Sequence, residues 1–406
     1  MSDEVPGGLP RPPRRVPPGA ENGVPHTVIE ARQAGARKTA RPPRAWYLLP
    51  VMILVVAAGA GGGWAVYERG GVVDTNKLDL DDISKNVGPA VVRVHGSVCE
   101  GTGAGTGILI DKDRVLTPAS AIRHWVSVAV ETADGRVRPA QVDGVDASGI
   151  AELRLLGDPL DVEPVEVAAQ TPSDGLDVAV IGYDGGTQTA DPHAIIQPSA
   201  GADLTGVSGL LPSSAVGSAV LDRGGHAIGM VTEADPSGAR AVGLSVLRGI
   251  VDRTSQPTAE PKGCREPKGP QAPVVPELAG PSGKLAEDAQ RTLGEFVTAI
   301  NRHNEQAVYD LMTGEQRDRS SIEAMEEQYR TEFDFQPKIL SVRRDGDGAQ
   351  VEWTFTSLQA PKPKIPYPCV RYDLVYYLKP ADGQLRIEGV KSAREGDPAW
   401  RPCTSD

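Results

Sequence analysis

The chain has 406 residues, 35 prolines, few aromatic side chains and a formal charge of −12. That acidic balance makes a poor surface for nucleic acid, so nucleic-acid partners are excluded from the expectations below. The N-terminal 44 residues run against the trend with eight basic and four acidic residues, so the remainder is more acidic still.

Residues 1–44 are rich in Pro, Gly, Arg and Glu with no apolar period, a composition that buries no core and is expected to form a disordered cytoplasmic tail. Residues 45–67 carry no charge and are long enough to cross a bilayer core as one helix. Trp46, Tyr47, Trp64 and Tyr67 mark its ends, where amphipathic rings favour the interface. Arg37, Lys38, Arg41 and Arg44 precede it, whereas Glu68, Asp74, Asp79, Asp81 and Asp82 follow. This asymmetry predicts a single-pass membrane protein with its N-terminus inside and its bulk extracytoplasmic. A cleaved signal peptide, with Ala58-Gly59-Ala60 as the small-residue site, is the rival reading, but a 44-residue lead is too long for it. The basic tail can also touch anionic lipid headgroups, although its charges need do no more than set topology.

Residues 68–81 read as a polar stalk. From 82 to 252, short β-type runs (A-V-V-R-V-H-G, G-T-G-I-L-I, V-S-V-A-V-E-T, D-V-A-V-I-G-Y, H-A-I-G-M-V-T) alternate with Gly, Asp and Pro clusters, which argues for an all-β sandwich or barrel pair. A linker over 253–282 holds seven prolines and few large apolar residues. The last segment, 283–406, opens with Leu293, Phe296, Val297 and Ile300 at helical spacing. A second helix, I-E-A-M-E-E-Q-Y, and four strand-like runs follow, which indicates an α+β domain.

The four cysteines, Cys99, Cys264, Cys369 and Cys403, all fall on the expected exported side, where disulfides persist. Pairing Cys369 with Cys403 and Cys99 with Cys264 keeps each bridge within or next to one domain, with two free buried thiols as the alternative. None forms a C-x-x-C pair, no Lys-Ser or Lys-Thr follows the glycine-rich run at 101–107, and no metal or cofactor is expected.

The β domain resembles the trypsin-like serine proteases, in particular the HtrA-like branch, over most of 84–252. The resemblance rests on S-K-N-V-G-P-A-V-V-R-V at 84–94, G-A-G-T-G-I-L-I at 103–110, R-V-L-T-P-A-S-A-I at 114–122, D-V-A-V-I-G-Y at 177–183 and G-G-H-A-I-G-M-V at 224–231. It implies a double β-barrel with a Ser, His and Asp triad. Carried over residue by residue, T-x-A-H ends at Ser120 instead of His, D-I-A-V-L begins with Gly149 instead of Asp, and Val216 stands at the nucleophile position. A hydroxyl is no base near neutral pH, glycine orients no imidazole, and valine has no nucleophilic atom. The expectation is therefore a pseudoprotease, a binding or scaffold protein for a peptide or protein outside the membrane. An active protease with a rearranged site built on Ser218 or Ser214 is the runner-up. His95, His193 and His226 have no acidic partner at a suggestive spacing, and His124 beside Trp125 reads as a loop residue; all are expected to be structural or solvated.

The C-terminal domain resembles the nuclear transport factor 2-like superfamily, a cystatin-like α+β arrangement, on Phe296, Ala299, Asn301 and the pair Leu311 and Met312 before Thr313. That resemblance implies a curved sheet around a pocket. A small-ligand sensor acting through this pocket is a third reading, but no convergent His, Asp and Tyr set is legible, and an accessory domain is expected.

Overall fold

The computed structural model describes residues 78–406 apart from 100–102, 185, 197–203, 236–237, 253–272, 281, 395, 397 and 405–406. The tail, the apolar segment 45–67, most of the stalk and Cys264 lie outside the described residues. Among the described residues no helix is long and apolar enough to cross a membrane.

The folded part begins earlier than the sequence pattern placed it. Helix α1 (Leu80–Val87) is capped by the Asp79 carboxylate, which accepts the Asp82 N–H at 3.1 Å, satisfying one of the unpaired donors of its first turn. Leu78 and Leu80 rest on the core below it. A 3₁₀ turn over Gly88–Ala90 follows, so the expected opening strand starts only at Val91.

Six strands, β1 (Val91–Val98), β2 (Ala104–Asp111), β3 (Arg114–Pro118), β4 (Trp125–Glu131), β5 (Val137–Val145) and β6 (Ile150–Leu155), close into one barrel. A second barrel closes from β7 (Asp177–Asp184), β8 (Thr187–Ile196), β9 (Leu204–Val207), β10 (Ala219–Leu221), β11 (Ala227–Asp235) and β12 (Gly238–Gly243). The expectation of an all-β double barrel is met: closure removes the exposed edges that so many short strands would otherwise present. Helix α2 (Leu244–Val251) ends the domain, burying Leu244, Leu247 and Ile250. The charge at Glu152, inside an apolar run, is explained by Arg114 on the adjacent strand. Their ion pair is 2.6 Å long with both side chains nearly buried, and Arg114 also donates to the Ile250 carbonyl at the end of α2 at 3.5 Å.

The two barrels meet at Thr106, which is fully buried. Its N–H donates to the Val216 carbonyl at 3.2 Å and its hydroxyl accepts the Tyr183 N–H at 3.0 Å. Gly217 passes so close, with φ +97, that a Cβ there would lie 1.9 Å from the Thr106 carbonyl oxygen.

The C-terminal domain starts inside the expected linker. Strand β13 (Glu277–Leu278) pairs parallel with Lys338 and Ile339, and the preceding strap crosses helix α3 (Lys284–Asn301). There Val274 N–H donates to Thr298 Oγ1 at 2.8 Å and Gln290 Nε2 donates to the Pro276 carbonyl at 2.6 Å. Gly294 makes room for that crossing, since a Cβ would sit 2.8 Å from the Val274 carbonyl oxygen. Helix α3 ends at Asn301, the chain turns at His303, which has φ +49, and helix resumes as α4 (Glu305–Asp310), capped by Asn304. Helices α5 (Gly314–Arg317) and α6 (Ile322–Tyr329) lead into β14 (Phe333–Asp345), β15 (Gly348–Leu358), β16 (Cys369–Ala381) and β17 (Gln384–Ser392), an antiparallel run along which β13 adds the outer strand. Strand β18 (Trp400–Pro402) pairs with β16, beside the Cys369–Cys403 disulfide, whose Cα atoms are 5.5 Å apart. Cys99 is disulfide-bonded as well.

Replacing Gly217 by Ala forces a left-handed φ and a backbone overlap at once. It is expected to lower unfolding stability by about 2–5 kcal/mol, read as a fall in the urea midpoint, whereas Gly135→Ala, with a similar φ but open space, should lose less.

Candidate functional site

Strand β3 delivers Ser120 to the seam between the barrels. Its last residue, Pro118, leads into a 3₁₀ turn over Ala119–Ala121, which is tied to the β5–β6 turn by Ala119 N–H donating to the Gly149 carbonyl at 2.8 Å. Gly149 has φ +82 with nothing within 4 Å of a would-be Cβ, a backbone state costing roughly 1–3 kcal/mol for a residue with a side chain. Across the seam, Val216 follows a 3₁₀ turn over Ser213–Ala215. Gly105 of β2 lies between the two sides: a Cβ there would be 2.8 Å from Ala121 Cβ and 3.7 Å from the Val216 oxygen. Of the positions singled out in the sequence, 120 carries an exposed hydroxyl, 149 no side chain and 216 a half-buried isopropyl group.

The backbone of the 216 turn is already engaged. Val216 N–H donates to Ser213 O at 3.4 Å, Gly217 N–H to Val231 O at 2.7 Å, and Ser218 N–H to Ala215 O at 2.9 Å. An oxyanion site needs such amides aimed at the reacting oxygen instead.

Neither fallback serine is set up as a nucleophile. Ser218 is 1% exposed and its Oγ presses on Gly182, where a Cβ would be only 1.8 Å away. Ser214 donates its hydroxyl to Asp184 Oδ1 at 2.7 Å, and a carboxylate alone is a weak base for a serine proton.

His95 is structural, as expected, but it has the acidic partner that its sequence spacing does not suggest. It sits in β1, 1% exposed, with Nε2 2.6 Å from Glu131 Oε2 and its ring stacked on Phe335 of the C-terminal domain at 4.1 Å between centroids. Glu131 Oε1 accepts from Gln336 Nε2 at 2.6 Å, and Arg93 lies 3.7 Å from the same carboxylate. Burial lowers the His95 pKa, with the Glu131 hydrogen bond opposing, so the imidazole is neutral and donates to the carboxylate. Burial pushes the Glu131 carboxyl up, but hydrogen bonds from His95 and Gln336 and the Arg93 charge together hold it below the usual carboxylate range. The sequence hid this pair because its partners lie 36 residues apart on adjacent strands. His226 also has an acidic neighbour, Asp222 at 3.2 Å, on the surface.

A cavity of about 420 Å³ opens from this seam, with Arg93, Gly105, Tyr183 and Ser214 on the barrel side and Val274, Phe333 and Phe335 on the other. Its outer wall therefore comes from the C-terminal domain. Inside that domain the sequence missed a convergent polar set. Glu332 and Asp334 are buried beside Tyr329, Tyr372 and Tyr376. Burial raises the pKa of both carboxyls, Lys362 at 2.9 Å opposing it at Glu332 and the Glu332 charge reinforcing it at Asp334. The E-F-D-F run at 332–335 alternates acidic and aromatic residues, so it gives no apolar face by which a strand is recognised.

Residues 105–230 match the trypsin-like peptidase domain family. The serine protease Rv3671c of Mycobacterium tuberculosis is 32% identical over 111 residues, covering 26% of this chain and 27% of that protein; the chain thus spans about a quarter of the length of the curated relatives it matches. Among solved structures, an inactive serine-to-alanine mutant of Rv3671c matches with TM-score 0.39 and 25% identity over 45% of this chain and 95% of that one. A serine endoprotease from Yersinia pestis matches with TM-score 0.40 and 20% identity over 44% and 66%.

The unfolded state binds a proton at His95 near pH 6.5 while the folded state resists it, so stability is present above that value and falls as pH drops below it. Glu131, also depressed, adds loss in the same direction at lower pH. Between pH 7 and 5 the urea stability is expected to fall, His95 contributing at most about 1.4 kcal/mol per pH unit, and His95→Gln should flatten that slope.

Proposed function

We propose that the protein, whose residues 105–230 match the trypsin-like peptidase domain family, is a membrane-anchored, extracytoplasmic pseudoprotease that binds a peptide or protein partner. The observation that carries this reading is Val216, an apolar side chain at the nucleophile position on a turn whose amides are already hydrogen-bonded. Loss of the nucleophile alone typically removes about a factor of 10⁶ in turnover, and Ser120 and Gly149 supply neither base nor orienting carboxylate. The cavity beside the seam supports a binding role: it is partly apolar, bounded by rings and by one arginine, the mixture that small binding sites use. The uncharged segment 45–67 supports the anchor. The C-terminal domain, in this reading, is a nuclear transport factor 2-like accessory module that completes the cavity wall.

One observation favours an active protease with a rearranged site: Ser214 and His95 line the same cavity, with Glu131 behind the imidazole. Against it, His95 is 1% exposed beneath Phe335, and the Ser214 hydroxyl is turned to Asp184.

Incubating the full chain with a serine-reactive fluorophosphonate separates the two. No site-specific adduct is expected. Stable labelling of Ser214 that disappears in Ser214→Ala and in His95→Gln would overturn the pseudoprotease reading and establish the rearranged site.

A further inference from the structure

The C-terminal sheet leaves half of an edge uncovered. Strand order places β14 next to the margin, where β13 pairs only with Lys338 and Ile339. One more bond, Ala279 N–H to the Ile339 carbonyl at 2.9 Å, ends the pairing. From Ser341 to Asp345 β14 continues as a strand paired to β15, and among the described residues no strand lies on its other side. Backbone donors and acceptors along such an edge are a template for another strand.

A groove of about 600 Å³ runs along this stretch, with Ile339–Arg344 as one wall and Leu278, Gly280 and Gly283–Ala286 as the other. A Cβ at Gly280 or Gly283 would meet nothing within 4 Å, so the second wall stands back from the edge. Leu340 is 40% exposed here. The lining charges are Lys284, Arg343 and Arg344, with no acidic residue among them. Lys284 is paired with Asp288; Arg343 and Arg344 have no ion pair among the described residues.

We infer that this edge is a docking site for an acidic, extended peptide segment of a partner protein, which adds as a further strand beside Ser341–Asp345. Main-chain hydrogen bonds supply the binding and alternate side chains the selection. Charge decides the occupant. A second copy of this chain paired antiparallel about the two arginines would bring Arg343 against Arg344, and like charges directly opposite are destabilising. Exposed cations on an edge serve to deter such self-pairing, and the same cations favour an acidic strand. The site is separate from the barrel seam, so it stands or falls independently of the pseudoprotease reading.

The test titrates a capped (Val-Glu)₄ octapeptide into the full-length protein and follows binding by fluorescence anisotropy and by amide hydrogen exchange. Slowed exchange over Ser341–Asp345 is expected. Affinity should weaken about tenfold or more, or roughly 1.4 kcal/mol, for the Arg343→Glu/Arg344→Glu double variant. The same weakening is expected for a peptide N-methylated on alternate residues, which keeps its charge but cannot pair as a strand. The N-methylated control uses the unaltered protein, so the test holds even where the variant folds poorly. The inference is overturned by absence of binding, by equal binding of (Val-Lys)₄ or of the N-methylated peptide, or by protection confined elsewhere. Concentration-dependent protection of the edge without peptide would assign it to a second copy and overturn it as well.

Discussion

Thr106 is the point at which the two barrels become one object. Every polar group on it is engaged: the N–H with the Val216 carbonyl, the carbonyl with the Thr117 hydroxyl at 2.9 Å, and the hydroxyl with the Tyr183 N–H. A fully buried residue in this position stays in place only if those bonds are made, since each unpaired group would cost about 1–3 kcal/mol. The consequence is that the seam is held by backbone groups, one threonine and a glycine too close to carry a side chain. None of the positions 120, 149 and 216 contributes a side chain to that arrangement. The frame therefore does not depend on the side chains at those positions.

The junction with the C-terminal domain follows a different logic. Its apolar part gathers Ala129 and Val137 from the first barrel with Phe333, Phe335, Leu358 and the Cys369–Cys403 pair. Within it lies the buried His95, Glu131 and Gln336 set, tied further by Gln336 Nε2 donating to the Gly135 carbonyl at 3.1 Å and Ser97 Oγ donating to the Thr331 carbonyl at 2.9 Å. Buried polar groups of this kind add little net stability over an apolar interface, but a misdocked arrangement leaves them unpaired at full desolvation cost. The apolar patch accordingly drives the docking and the polar set fixes its orientation. Gln336, held at φ +51 where β14 bulges between Phe335 and Lys338, is turned toward the barrel by that irregularity.

Much of the barrel was legible because a closed antiparallel sheet prints its period on the sequence: the runs at 90–96, 177–183 and 226–232 all became strands. Helix Ile322–Tyr329 was recovered in full for the analogous reason, a regular amphipathic pattern. What sequence reasoning lost were features made across the sheet or between domains. The strap over Gly294 is one, because its glycine reads as a mild flaw in a helix until a carbonyl is seen crossing it. The His95 and Glu131 pair is another, since neighbouring strands bring together residues that no local spacing connects. The break at His303 is a third: the helical pattern continues through it, and only the left-handed backbone there, followed by the Asn304 cap, divides the helix.

The turn that carries Val216 satisfies its own backbone donors. A nucleophile turn in a working enzyme holds amides away from internal partners so that they can meet an oxyanion, an arrangement that lowers stability in exchange for rate. Here the 216 amide closes on Ser213 and the 218 amide on Ala215, so both donors find partners within the turn. The isopropyl group at 216 lies half-buried, and Gly149 holds a φ of +82 that costs a residue with a side chain roughly 1–3 kcal/mol. Under the proposed pseudoprotease reading, a serine placed at 216 alone would supply an oxygen without a base or an orienting carboxylate at 120 and 149. On that reading three side chains and the local hydrogen bonding would have to change together before the turn could serve catalysis.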